Sequence, residues 1–292
     1  METRLSAKQL LHQFDSGRGL TNMKKTALTS FIFTLTFLFF ASKVSAQTLT
    51  SDRAYSDYQF NLTVYEQAFS DYENAKNAYL ANQTLELKDV ARQKTKIMLV
   101  DRDQLMVVYL TALRTKISEQ PGLNGDDKNN IFGKIDAEVT FYSNHKNSYT
   151  DNSSLDDLFA TSSQSENQYK GTTILVVDES LFDISLGEEE GLRLEHEKIF
   201  ATLKTVIDAG VAAGKLTLSP FNNWLSEIST VDAALVQNES TAKTQIAQIY
   251  AQDFTTGGGY QNALETLTSS IKPLSQFNEF LSEVTNYLKN HQ

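Results

Sequence analysis

The sequence predicts an all-α protein, an elongated antiparallel bundle of six or seven long amphipathic helices with coiled-coil-like packing. Three observations carry this. Only three prolines occur, Pro121, Pro220 and Pro273, so long helices run uninterrupted. Apolar residues recur in steps of three and four, with tyrosines and leucines at intervals of seven. Cysteine is absent, so no disulfide framework can substitute for packing.

The chain opens with residues 1–22, which lack a hydrophobic segment and read as a non-native upstream extension. Residues 23–46 read as a secretory signal. Lys24 and Lys25 form its positive end, Thr26 to Ala41 its apolar core, and Val44-Ser45-Ala46 the small-residue cleavage site. Cleavage between Ala46 and Gln47 is expected, leaving a mature chain outside the cytoplasm, periplasmic or secreted. The alternative is an uncleaved anchor, although the apolar core is shorter than the roughly 20 residues that span a bilayer. After residue 47 two regions are expected. Residues 47–150 form a helical hairpin plus a third helix, and 151–292 pack with them or form a second bundle.

In the first mature helix, Tyr58, Tyr65, Tyr72 and Tyr79 fall at seven-residue spacing, with Leu62, Ala68, Phe69 and Ala75 beside them. Core packing of large rings across alanines explains this pattern better than a carbohydrate-stacking platform. A second helix is expected from Leu87 to about Ser118. Its apolar side includes Val90, Ala91, Ile97, Met98, Leu105 and Tyr109, with Asp101 on or beside the seam and paired to a neighbouring cation. Gln120-Pro121-Gly122 and Asn124-Gly125 end it, making residues 52–118 a helical hairpin.

The third helix, about 127–148, aligns Ile131, Ile135, Val139 and Tyr142. Residues 151–157, DNSSLDD, supply a capping serine and first-turn acids for a fourth helix running from about Leu155 toward Leu186. Within it, residues 172–177 are β-branched enough for a strand. Helical spacing from Tyr169 to Leu186 and the lack of a partner strand favour helix.

Gly187 is expected to mark a turn, with Glu188-Glu189-Glu190 opening a fifth helix whose seam is Leu192, Ile199, Leu203, Val206 and Ile207. Ser219-Pro220 restarts the chain as cap and first helical residue of a sixth. Gly257-Gly258-Gly259 ends that helix as a hinge. The last segment carries Leu267, Leu274, Leu281 and Leu288 in strict heptad spacing, which Pro273 does not disturb, so one kinked helix is expected. An oligomeric coiled coil is compatible with this spacing and leaves the oligomeric state open.

Removing residues 1–46 takes six of the 26 Lys and Arg and two of the 36 Asp and Glu, leaving 20 against 34 and a formal charge of −14. Such a surface repels nucleic acid and anionic lipid. Three histidines remain, His145, His196 and His291, with no HExxH spacing. His196, within Glu195-His196-Glu197, reads as solvated. No calcium loop or phosphate-binding motif is found, and neither a cofactor nor a metal is expected. Asp101 and Glu179 would need a cleft and shifted acidities to act as catalytic acids. Four glycosylation-like triplets, at Asn61, Asn82, Asn152 and Asn238, are what chance supplies in a chain this rich in Asn, Ser and Thr.

The expectation is therefore a non-enzymatic interaction or scaffold module whose partner is a protein or an envelope component. Two alternatives stand beside it. One is a membrane-active protein inserting Ile174–Val177 or Val211–Leu216, and the other an extracytoplasmic hydrolase using carboxylates.

Overall fold

The computed structural model describes residues 50–250 and 258–291; the signal at 23–46 and the Ala46–Gln47 cleavage site lie outside the described residues. The architecture is an elongated all-helical bundle. In chain order the helices are α1 Ser51–Ala81, α2 Leu85–Ser118, α3 Gly125–Lys146, α4 Leu155–Gln168, α5 Ile174–Ala212, α6 Ser219–Ala247, α7 Gly258–Ser269 and α8 Ile271–His291. A π-helical turn, Tyr169–Thr173, joins α4 to α5, and a 3₁₀ turn, Gln248–Tyr250, follows α6. No strand is present among the described residues.

Polar caps fix the helix starts. Thr50, Thr84, Asn124 and Ser154 each accept a backbone N–H three residues on, and Ser154 forms a reciprocal capping box with Asp157. α1 and α2 pair antiparallel. The rings of Tyr58 and Tyr109 lie 5.4 Å apart near one end, and Lys94 binds Asp71 at 2.7 Å further along. Tyr58, Tyr65, Tyr72 and Leu105 are buried, and Tyr79 is half-buried. α2 is packed against α1, α3, α4 and α5, so its buried face is wider than one stripe. It includes Leu99, Leu110 and Ile117, whereas Val90 and Ile97 point outward.

The largest departure from the sequence reading is at Gly187. No turn occurs there. α4, the π turn and α5, of 14, 5 and 39 residues, run on as one rod with a contour of about 87 Å at 1.5 Å per residue. Gly187 and Gly191 instead notch this rod for the turn after α2. A Cβ on Gly187 would stand 2.7 Å from the Gln120 Cβ, and one on Gly191 would stand 2.9 Å from the Pro121 ring. From the other side, a Cβ on Gly122 would meet the Gly191 nitrogen at 2.4 Å. Backbone thus lies on backbone, which only glycine permits. Glu188, Glu189 and Glu190 accordingly sit mid-helix rather than at a helix start.

The π turn absorbs one residue so that Ser165, Tyr169 and Thr173 all face inward at four-residue steps. Residues 172–177 are therefore helical throughout, passing from π to α at Ile174.

The C-terminal helices build a second core against the far half of the rod. α6 runs antiparallel to α8, as the clusters Ile228–Leu235–Phe277–Leu281 and Phe221–Val284–Leu288–Ile207 show, and to α7, where Thr266 donates to Gln245 and Asn238 to Ser269. Leu267, Leu281 and Leu288 are buried, and Leu274 packs partly buried against the first of these clusters. The expected single kinked helix is divided at Ser270, where the Ser270 and Leu274 N–H groups bond to Leu267 and Ser270 carbonyls. Pro273 lies in the first turn of α8, where a missing N–H is harmless, so the heptad phase survives the break.

Three further local readings change. Ser219 is already helical, and Leu218 occupies the cap position without a side-chain bond. α6 ends before the glycines, and Gly258-Gly259 open α7; a Cβ on Gly259 would meet Ile249 at 2.7 Å. Beyond residue 190, Leu192, Ile199 and Val206 are exposed, at 49%, 42% and 37%. Leu203 and Ile207 do face inward as expected, and His196 and Phe200 complete the rod's inner face. α5 ends where Gly214, at φ 68°, lets the Lys215 N–H return to the Gly210 carbonyl at 3.0 Å.

Candidate functional site

The densest polar cluster lies where α2, α3 and α4 meet. Asp103 is fully buried on α2, and the end of α3 brings His145 to it, Nδ1 to Oδ2 at 2.5 Å. The His145 Nε2 donates to the Thr161 carbonyl at 2.9 Å. A carbonyl only accepts, so Nε2 carries a hydrogen, and one further proton lies between Nδ1 and the Asp103 carboxyl. Phe141 stacks on one side of the imidazole at 5.4 Å, and Tyr149 meets it edge-on at 5.2 Å.

The other Asp103 oxygen accepts from the Ser165 hydroxyl at 3.2 Å and from the Arg102 guanidinium at 3.2 and 3.3 Å. Arg102 also donates to the Ser162 hydroxyl at 2.9 Å and to the Tyr149 phenol at 3.1 Å. Burial raises the pKa of Tyr149 well above that of a free phenol, so it stays protonated.

Serine, histidine and aspartate meet here in the wrong order for nucleophilic catalysis. Ser165 bonds to Asp103 rather than to the imidazole, and the imidazole's far nitrogen is capped by backbone. A serine nucleophile needs its base alongside and an opening to substrate. This cluster has neither; it clasps three helices.

A second buried cluster supports the π turn. Glu138, 3% exposed on α3, accepts from Gln168 Nε2 at 2.8 Å and from the Thr173 hydroxyl at 2.6 Å. With its only proton given to Glu138, Thr173 accepts from the Tyr142 phenol at 2.9 Å.

The carboxylates that the sequence suggested for chemistry do not converge. Asp101 is half-buried and has no ion pair among the described residues; burial raises its pKa above the ordinary carboxyl value. The expected pairing on α2 falls to Arg102 and Asp103 instead. Asp101 lines a shallow open groove of about 450 Å³ with Lys96, Val100, Lys146 and Tyr149. Both lysines are engaged, Lys96 with Asp151 and Lys146 with the Gln104 amide. Glu179 lies elsewhere, held by Lys134 at 2.8 Å through both oxygens and by the Tyr250 phenol.

His196 is half-buried against the Phe277 ring at 5.2 Å rather than solvated, and burial lowers its proton affinity. The sequence missed His145, Asp103 and Glu138 as buried groups. The available signal was their position, because each falls on the helical phase of its neighbouring apolar residues.

Among the described residues, no group of three or more His, Asp and Glu is placed to hold a metal ion. No described helix is long and apolar enough to cross a membrane. Of the apolar segments considered for insertion, Val176 and Val177 are buried, and Val211 and Leu216 pack against the Ile207–Phe221 cluster. No family model, curated protein or solved structure matches this chain.

Proposed function

We propose that this protein acts outside the cytoplasm as a non-enzymatic scaffold that engages a protein or another envelope component through the outer faces of its helices. The observation that carries this reading is the use of its buried polar groups. Asp103, His145, Arg102 and Glu138, the residues best suited to chemistry, are all consumed in joining helices to one another. Its outer faces, by contrast, keep apolar residues at regular spacing, notably Leu192, Ile199 and Val206 along one edge of α5. The export signal supports the location. Val176 and Val177 are buried, and Val211 and Leu216 pack partly buried against Ile207 and Phe221, so membrane insertion has no specific support.

The test joins location to contact. The chain, tagged at its C-terminus, is expressed in its native cell, fractionated, and the N-terminus of the exported form determined by mass. Gln47 is expected. Cross-linking in the intact envelope then compares the native chain with Leu192→Glu/Ile199→Glu/Val206→Glu, which should fold because these positions are exposed. Loss of specific cross-links in the variant supports the reading. Retention of every cross-link, or a chain found in the cytoplasm, removes it.

A further inference from the structure

At the junction of α5 with α6 and α7, Glu189 is buried and Asp178 and Asp183 are half-buried, and none of the three makes an ion pair among the described residues. Glu189 is 7% exposed, and neither of its oxygens has a hydrogen-bond partner. It faces Glu239 from α6, Ser270 from the joint between α7 and α8, and Glu190 and Arg193 on its own helix. Arg193 is already bound to Glu239 at 2.7 Å and to Glu197. Asp183 faces Asp127 and Lys134 from α3, Lys243 from α6 and Glu179 on its own helix. Those lysines are taken as well, Lys134 by Glu179 and Lys243 by Glu190, both at 2.8 Å. Asp178 faces the phenols of Tyr109 from α2, Tyr169 from the π turn, Tyr250 from the turn after α6 and Tyr260 from α7, and Tyr250 faces Asp183 as well.

Three cations, each already engaged, thus serve a junction that would hold several more negative charges if every carboxyl ionised. A buried carboxylate without a partner is strongly disfavoured, and the group keeps its proton instead.

We propose that protonation of Asp178, Asp183 and Glu189 latches the α6–α7 layer onto α5, and that their ionisation releases this layer while the α1–α2 hairpin stays closed. Burial holds all three up at about 7, against ordinary values of 3.8 for aspartate and 4.5 for glutamate. Below the ordinary range the folded and released forms carry the same protons. As pH rises the released form sheds them first, so opening gains until the folded form ionises as well. Opening of α6 and α7 therefore increases across the neutral range, which separates a local latch from general unfolding.

Hydrogen exchange of the intact chain, corrected for the intrinsic pH dependence of amide exchange, reads this directly. Between pH 5 and 7 each carboxyl raises the opening constant by up to about 100-fold, so the three together should give at least about 30-fold in α6 and α7. The α1–α2 amides should stay level. In Asp178→Asn/Asp183→Asn/Glu189→Gln the rise should vanish. Should that variant fail to fold, Glu189→Gln alone should lower the slope by up to about one proton's worth. A native chain whose α6 and α7 protection is level with pH overturns the latch. So does a rise shared equally by α1 and α2, or a variant that follows the native profile.

Discussion

The buried polar residues of this chain act through completeness rather than number. Asp103 accepts from His145, Ser165 and Arg102 together, so each member of the group satisfies another. Removing one partner leaves charges buried without compensation, a loss of about 3–5 kcal/mol. Asp103→Ala should therefore lose that much in urea unfolding, whereas Asp101→Ala, on the rim of the groove, should change stability by under about 1 kcal/mol. Thr173→Val makes a narrower test. It keeps the shape of the π turn but takes the hydroxyl from between Glu138 and Tyr142, at about 1–3 kcal/mol. None of these groups was legible as a cluster in the sequence. Helical phase sets Asp103, Glu138 and His145 beside buried apolar neighbours such as Tyr142, but their polarity argued for the outside. Each was read by its polarity alone.

At the scale of elements, the end of α2 at Ser118 and the start of α4 at Leu155 were legible, whereas the helix start read at Glu188 and the Ser219 cap were not. Serine, threonine and asparagine caps mark starts chemically, and the heptads of α1 and α8 declare their buried faces. Gly187 defeated the same logic, because a glycine that ends a helix and one that admits another backbone look alike in sequence. The difference lies in Pro121 and Gly122, some 65 residues earlier. Gly122→Ala tests the contact: a methyl 2.4 Å from the Gly191 nitrogen must push the turn off the rod. A loss of about 2 kcal/mol or more is expected in thermal or denaturant unfolding, while Gly125→Ala, with open space around it, should stay within about 0.5 kcal/mol. The phase of α5 was misjudged for a related reason. The seam read as Leu192, Ile199, Leu203, Val206 and Ile207 holds at Leu203 and Ile207 and fails at the other three, because His196 was taken as solvated. Accepting it as a core residue gives His196, Phe200, Leu203 and Ile207, in steps of four, three and four.

For the whole molecule, two sets of carboxyls set opposite limits on stability. Lys94, Ser51, Lys96 and Ser154 hold Asp71, Glu119, Asp151 and Asp157 respectively below the ordinary range. What these contribute is present above the ordinary range and disappears as pH falls through it. Asp178, Asp183 and Glu189 are shifted upward, so their contribution is complete in acid and declines as pH climbs to about 7. The melting temperature should therefore be highest at about pH 4 and fall on both sides, and Glu189→Gln should lift only the alkaline side. A melting temperature that kept rising from pH 5 to pH 8 would contradict this assignment.

The rod from Leu155 to Ala212 belongs to both cores, and this bears on how the chain is made. A polypeptide emerging N-terminus first can close the α1–α2 pair from contacts near in sequence, then lay α3 and the rod against it. Only then do the later helices find a template. A ribosome releasing the chain in that order never leaves α6 to α8 waiting for a surface still to be synthesised. A circularly permuted chain that began at Ser219 would reverse the order, and its refolding should be slower and more prone to aggregation.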